Sequence, residues 1–277
     1  MLEMPECNTL ARQLRETVTG KRITGVVAAH TPHGLSWYTG EPSDYPDKLQ
    51  GLTVEDARAI AAYVEIVLSD DMRLAFRDGI NLRYIELGGK VPDKHQLLLS
   101  FSDGSHLVCT VQMYGGMELF LHGTKDDRYY TAASDKPTPL SDEFDFDYFR
   151  ALYREERPSL SAKALLATEQ RIPGIGNGSL QDILWNARIN PQTALRRLDE
   201  RDMERLFGAV KNTLAAMTKC GGRDTEKDLF GNAGGYESVL SSRTAKSPCK
   251  ACGSPITKKS YLGGSVYYCE SCQPILK

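Results

Sequence analysis

The chain has no apolar run approaching the length that crosses a bilayer, and its opening, MLEMPECNTLARQL, lacks the basic head and apolar stretch of a secretory signal. Membrane insertion and export are therefore not expected; the expected compartment is the cytoplasm, with nucleoid association if the cell is bacterial. Internal repeats and low-complexity tracts are missing too. Nor does the whole chain carry surplus positive charge, since 34 Lys and Arg against 36 Asp and Glu leave a net of −2. Divided along the chain, the balance changes. Residues 1–160 carry 17 basic against 25 acidic side chains, whereas residues 161–277 carry 17 against 11. The C-terminal part is the half that attracts phosphate, although a solvated face charged by chance gives the same asymmetry.

At 277 residues the chain has room for one or two main domains and a small appended module. Of its seven cysteines, Cys7, Cys109 and Cys220 are scattered, and the other four form two tight pairs. The spacing is Cys249-x2-Cys252-x16-Cys269-x2-Cys272. Each C-x2-C turn presents two thiolates to one metal, and the hairpin between the pairs closes a tetrahedron with no open position. A structural zinc in a reducing compartment is expected, on a two-stranded ribbon that turns near residues 262–264; a redox pair or free thiols are the alternative.

Residues 5–19 read as an amphipathic helix, with Leu10, Leu14 and Val18 four apart and Gly20 as its stop. Short alternating runs follow: RITGVVAA, AYVEIVLSDDMRLAF, HQLLLSFSDGSHLVCTV and GGMELFLHG, with SDD and SDG where hairpins would turn. They predict a β-sandwich or barrel of roughly a hundred residues. TAASDKPTPLSDEFD reads as a linker. Helical periods resume in DYFRALYREE, SAKALLATEQ, SLQDILWNAR and ERDMERLFGAVKNTLAAM, and GGRDTEKDLFGNAGGYES reads as a polar, glycine-rich loop.

PGIGNG, just before SLQDILWNAR, places a glycine-lined turn at a helix N-terminus, where backbone N–H groups and the positive end of the dipole can receive a phosphate. Asn177 would add a hydrogen bond and Lys163 a charge. A helix-turn-helix corner using glycine only for packing fits the same residues.

Taken together, Glu3-Met4-Pro5-Glu6, Lys163 fourteen residues before Asn177, the PGIGN turn and the four-cysteine finger resemble the formamidopyrimidine-DNA glycosylase / endonuclease VIII family of base-excision repair enzymes. The similarity is clear over residues 160–275 and fainter over 20–130. It implies a multidomain α+β chain: an N-terminal β-sandwich with a flanking helix (1–133) as catalytic-type domain, a helical helix-two-turn-helix DNA-binding domain (134–245) and a C-terminal zinc ribbon (246–277). It further implies a monomer that binds damaged double-stranded DNA, abasic or distorted, and flips the damaged base out of the stack.

Carried over position by position, the resemblance makes Glu3 the general acid/base and Glu6 a carboxylate that helps hold the N-terminus. Two carboxylates at a helix start also suit the dipole of any helix. Family members usually expose a proline amine as the nucleophile that forms a Schiff base, but position 2 here is Leu. Methionine is generally retained before so large a side chain. The free amine would then be that of Met1, up to about 3.8 Å from the usual place. A primary amine can still form an imine. A phosphate-binding lysine of the family falls on Ala62, and the finger's arginine on Gly264. The loop that fills the gap left by the flipped base corresponds to V111-Q112-M113-Y114-G115-G116, in which Met113 and Tyr114 offer a wedge or else core packing. Lys163, Gly174, Gly176, Asn177 and the four cysteines keep the family pattern.

Three functions compete. One is a DNA glycosylase hydrolysing the N-glycosidic bond, with weak abasic-site lyase activity. Another is a catalytically impaired binder of damaged or distorted DNA. A third is a DNA-independent or RNA-associated protein, since helix-two-turn-helix elements and zinc ribbons also occur around ribosomes.

Overall fold

The alternating runs between Arg22 and Gly123 assemble into one continuous sheet in a computed structural model, which describes residues 1–276. The chain divides into two units. The first comprises Met1–Thr131 together with Gly221–Gly235; the second comprises Ala132–Cys220 and the chain from Tyr236 onward.

In the first unit, α1 (Met4–Val18) carries Pro5 in its first turn, where a missing N–H costs no hydrogen bond, and stops before Gly20, whose φ is +82°. Its Leu10, Leu14 and Val18 form the buried stripe that the four-residue spacing predicted. The strands are β1 (Ile23–Ala28), β2 (Ser36–Tyr38), β3 (Val54–Ile60), β4 (Tyr63–Leu68), β5 (Met72–Ile85), β6 (Leu97–Phe101) and β7 (His106–Leu121), and α2 (Tyr45–Leu49) lies between β2 and β3. Their order is β1-β6-β7-β5-β4-β3, antiparallel throughout, with β2 parallel to β7.

Both predicted hairpins turn where expected. Asp70 and Asp71 have φ of +59° and +57°, matching the twist of the strands they join, and Ser102-Asp103-Gly104 links β6 to β7. The register of β5 on β7 shifts between Asp78 and Ile80. On one side of that shift β5 pairs with β4; on the other, β7 pairs with β6. Ile66, Leu74 and Phe76 from the first half share one core with Leu82, Leu99 and Leu107 from the second and with the α1 stripe. The sheet therefore folds over itself into the expected sandwich with its flanking helix.

The second unit contains α4 (Phe146–Arg154), α5 (Ala162–Ala167), α6 (Ser179–Asn186) and α7 (Glu200–Lys219), then a ribbon of β8 (Ile256–Tyr261) and β9 (Gly264–Cys269). Asp145, Ser161 and Asp199 cap α4, α5 and α7 by accepting from backbone N–H groups, and Asp199 with Asp202 completes a reciprocal capping box. The ribbon turns at Leu262 and Gly263, both with positive φ, as expected.

Two expectations change. The stretch read as a linker from Thr131 begins inside a helix, α3 (Arg128–Asp135), because Asp127 accepts from the N–H groups of Tyr129 and Tyr130 and nucleates a turn. Gly221–Gly235, expected within the 134–245 span, folds with the first unit. No described helix is long and apolar enough to cross a membrane.

Candidate functional site

The Sγ atoms of Cys249, Cys252, Cys269 and Cys272 all lie within 4.8 Å of one another, with 3.8 Å from Cys249 to Cys272 and 3.5 Å from Cys252 to Cys269. A tetrahedral zinc with Zn–S bonds of about 2.3 Å sets its sulfurs about 3.8 Å apart, so the four thiols fit that ion; a disulfide would need about 2.05 Å. With four thiolates the coordination is closed. The zinc is structural.

The helices of the second unit hold the ribbon's turn through the residues expected to meet DNA. Lys163, 3% exposed, donates to the Tyr261 carbonyl at 2.6 Å, and burial lowers its pKa. Asn177 donates to the Ser265 carbonyl at 2.9 Å, Gln181 donates to the same oxygen at 3.0 Å, and Gln181 accepts from Tyr267 N–H at 3.0 Å. Gly264 lies against Asn177 so closely that a Cβ there would meet the amide at 3.2 Å. The glycine at the arginine position thus seats the turn on α6. Gly174, with φ +91°, and Gly176 form the bend before α6.

In the first unit, the two carboxylates predicted from Glu3-Met4-Pro5-Glu6 come together around a residue that the sequence did not point to. Glu3 is the N-cap of α1 in extended conformation and Glu6 lies in the first helical turn; they are 2% and 4% exposed. Arg223, 3% exposed, reaches both. Its Nε and Nη2 donate to the two oxygens of Glu6 at 3.0 and 2.9 Å, its backbone N–H donates to Glu6 Oε1 at 3.0 Å, and its Nη1 lies 3.3 Å from Glu3 Oε1. Burial works against the guanidinium's charge, but Glu3 and Glu6 outweigh it and hold Arg223 protonated. The loop can approach this closely because Gly222 has φ +96° and sits against the Glu6 side chain, and Gly234 packs directly on the Gly222 backbone.

The Met1 ammonium pairs with Glu226 at 2.5 Å. Leu2 is no simple replacement for a nucleophile. Its side chain is part of the core and its N–H donates to the Asp78 carbonyl at 2.7 Å, at the shift in β5. Of the loop's acidic residues, Glu226 is engaged with Met1, and Asp228 accepts from Gln13 and from the N–H groups of Phe230 and Asn232. Neither Arg223 nor Glu226 could be found by spacing, because each meets partners more than 200 residues away.

The wedge candidates are not on a loop: Met113 and Tyr114 lie within β7. Met113 is 64% exposed, so core packing is excluded for it. Tyr114 stacks on Trp37 with ring centres 6.2 Å apart, and Trp37 faces the Arg77 guanidinium at 5.0 Å. Its hydroxyl lies 3.8 Å from Met1 Sδ, and burial raises its pKa, with the charges of Asp78 and Glu3 acting in the same direction. Ala62 sits at the tip of the β3–β4 hairpin beside Ala61, where φ is +51°.

Residues 1–158 match the formamidopyrimidine-DNA glycosylase N-terminal domain and residues 136–228 the H2TH domain of the same glycosylase. The formamidopyrimidine-DNA glycosylase of Lactobacillus delbrueckii subsp. bulgaricus is 30% identical over 283 residues, covering 99% of each chain, and that of Salinispora arenicola is 28% identical, covering 99% of this chain and 96% of its own. The solved Lactococcus lactis protein in complex with DNA containing an abasic site superposes with a TM-score of 0.82 at 23% identity, over 98% of this chain and 99% of that one. The Thermus thermophilus protein gives 0.81 at 23%, over 99% of each. These superpositions establish the fold.

Proposed function

The chain belongs to the formamidopyrimidine-DNA glycosylase family, and on that premise we propose that it is a DNA glycosylase of base-excision repair, acting on damaged double-stranded DNA. The observation that carries this reading is the buried charge at the start of α1: Glu3 and Glu6, both nearly inaccessible, held by Arg223. Burying ions costs several kcal/mol each and is offset only by good geometry.

In this reading Glu3 is the base. Its carboxylate takes a proton from water as the water oxygen bonds to the anomeric carbon, and the glycosidic C–N bond breaks with its electron pair on the departing base. Once the Met1 ammonium has passed its proton to Glu226, the free amine offers a slower route at abasic sites, adding to the sugar aldehyde and losing its oxygen as water to form an imine. The bend at Gly174 and Gly176, with Asn177 and Lys163 behind it, receives a backbone phosphate. Exposed Met113, with Tyr114 braced on Trp37, enters the stack where the base has left. With Ala62 and Gly264 in place of cations, fewer phosphates are neutralised, so binding favours DNA already bent, gapped or abasic. The protein works as a monomer in the cytoplasm, on the nucleoid if bacterial.

Base release from lesion-bearing duplexes tests the proposal. Glu3→Gln should lower it by about 10²–10⁴-fold, the usual contribution of a general base. Borohydride trapping on an abasic duplex should give a weak adduct that disappears when the α-amine is blocked. DNA binding with no base release from any lesion would instead identify a non-catalytic binder.

A further inference from the structure

We propose that Arg223 is the positioning residue for Glu3, fixing it from the 221–228 loop so that it enters the reaction as an oriented, ionised base. The inference rests on the assignment of Glu3 as base in the preceding section. Nε and Nη2 of Arg223 are taken by the two oxygens of Glu6, which pins the plane of the guanidinium, and the Arg223 backbone N–H donates to Glu6 as well. Pinned in that plane, Nη1 stands 3.3 Å from Glu3 Oε1, while Nη2 also reaches the Met1 carbonyl at 3.4 Å. The crevice on the loop side of Arg223, lined also by Glu6, Thr9, Gly222 and Glu226, is too small for a water molecule, so it leaves no room there for an anionic ligand. It is a clamp between two stretches of the first unit that are 217 residues apart.

The clamp bears on the chemistry because a fixed cation beside a carboxylate favours its charged form. Such a carboxylate is held ionised and so free to take a proton from water, and once protonated it gives that proton up readily. During turnover the proton taken from water passes from Glu3 to the released base, and Glu3 returns to the carboxylate that Arg223 stabilises. The other charged or titratable groups around Glu3 are Glu6 and Cys7 on α1, Glu226 on the loop, Asp78 on β5, Tyr114 on β7 and the Met1 ammonium. Among the described residues near it, Arg223 is the buried cation; the Met1 ammonium is already paired with Glu226.

A carbon-13 NMR titration of the Glu3 carboxyl, assigned with Glu3→Gln, tests the role in the DNA-free protein. The informative variant is the double substitution Arg223→Gln with Glu6→Gln, which removes one charge of each sign and keeps the side chains similar in volume. The Glu3 midpoint should rise by about one pH unit or more in the double variant. In Arg223→Lys, which keeps the charge and loses the fork, it should rise by less. The proposal is overturned if both variants titrate like the wild type. Base release measured in parallel keeps the two readings apart: an inactive wild type overturns the hydrolysis proposal, and the titration still decides Arg223. If the wild type is active, the acid limb of its kcat profile should move up in the double variant, with KM nearly unchanged.

Discussion

The two units each bury a cation, and the two cations are treated differently. Arg223 lies between two carboxylates, with every contact within ordinary hydrogen-bond or ion-pair range. Lys163 is equally buried, but among the described residues it has no carboxylate partner and rests on the Tyr261 carbonyl alone. A buried cation whose charge is already matched holds its neighbours and has nothing left to bind. One matched only by a carbonyl dipole retains attraction for an anion. In the proposed reaction, the first arrangement would serve as a rigid reaction centre. The second keeps positive charge ready beneath the bend that would take a phosphate.

Stripping the zinc should break the comparison most severely, because structural zinc stabilises such a ribbon by about 10–16 kcal/mol. Without it, Tyr261 and Ser265 no longer hold Lys163 and Asn177, while Arg223 keeps its carboxylates. Trp37 and Trp185 lie in different units, so single-tryptophan variants can follow each one: chelation should alter Trp185 emission and leave Trp37 unchanged.

Arg223→Ala comes next. It leaves two buried carboxylates uncompensated and should cost about 3–5 kcal/mol in denaturant unfolding. Leu2→Pro, which restores the residue usual in the family, should cost about 2–4 kcal/mol, from a lost core side chain and a lost hydrogen bond to Asp78. It should yield no stronger borohydride adduct, since the chain start is already committed to the core. The smallest change in stability is expected for Lys163→Met, within about 1 kcal/mol, because an apolar stem replaces an unmatched charge. The same substitution should reduce the salt slope of DNA binding by about 1. It should also flatten the pH dependence of stability. Burial lowers the Lys163 pKa below 10.5, so the unfolded chain binds this proton more tightly and wild-type stability gains as pH rises toward that value.

Much of this molecule is written in short-range pattern. Leu10, Leu14 and Val18 recur with the helical period, SDD and SDG occupy turns whose φ values suit them, and two C-x2-C pairs can meet one metal whatever surrounds them. Such signals lie within a few turns of chain, and so did the Glu3-Met4-Pro5-Glu6 and PGIGN segments that carried the family resemblance. Tertiary structure decided where these pieces are used. It moved Gly221–Gly235 into the first unit, put Leu2 in the core, exposed Met113 in mid-strand and brought Arg223 between Glu3 and Glu6. Local sequence records conformational preference and spacing, and these alone determined the longer helices, the two hairpins, the metal site and the family. Which charge neutralises which depends on low-dielectric contacts between residues more than 200 positions apart, and only the folded chain determines those.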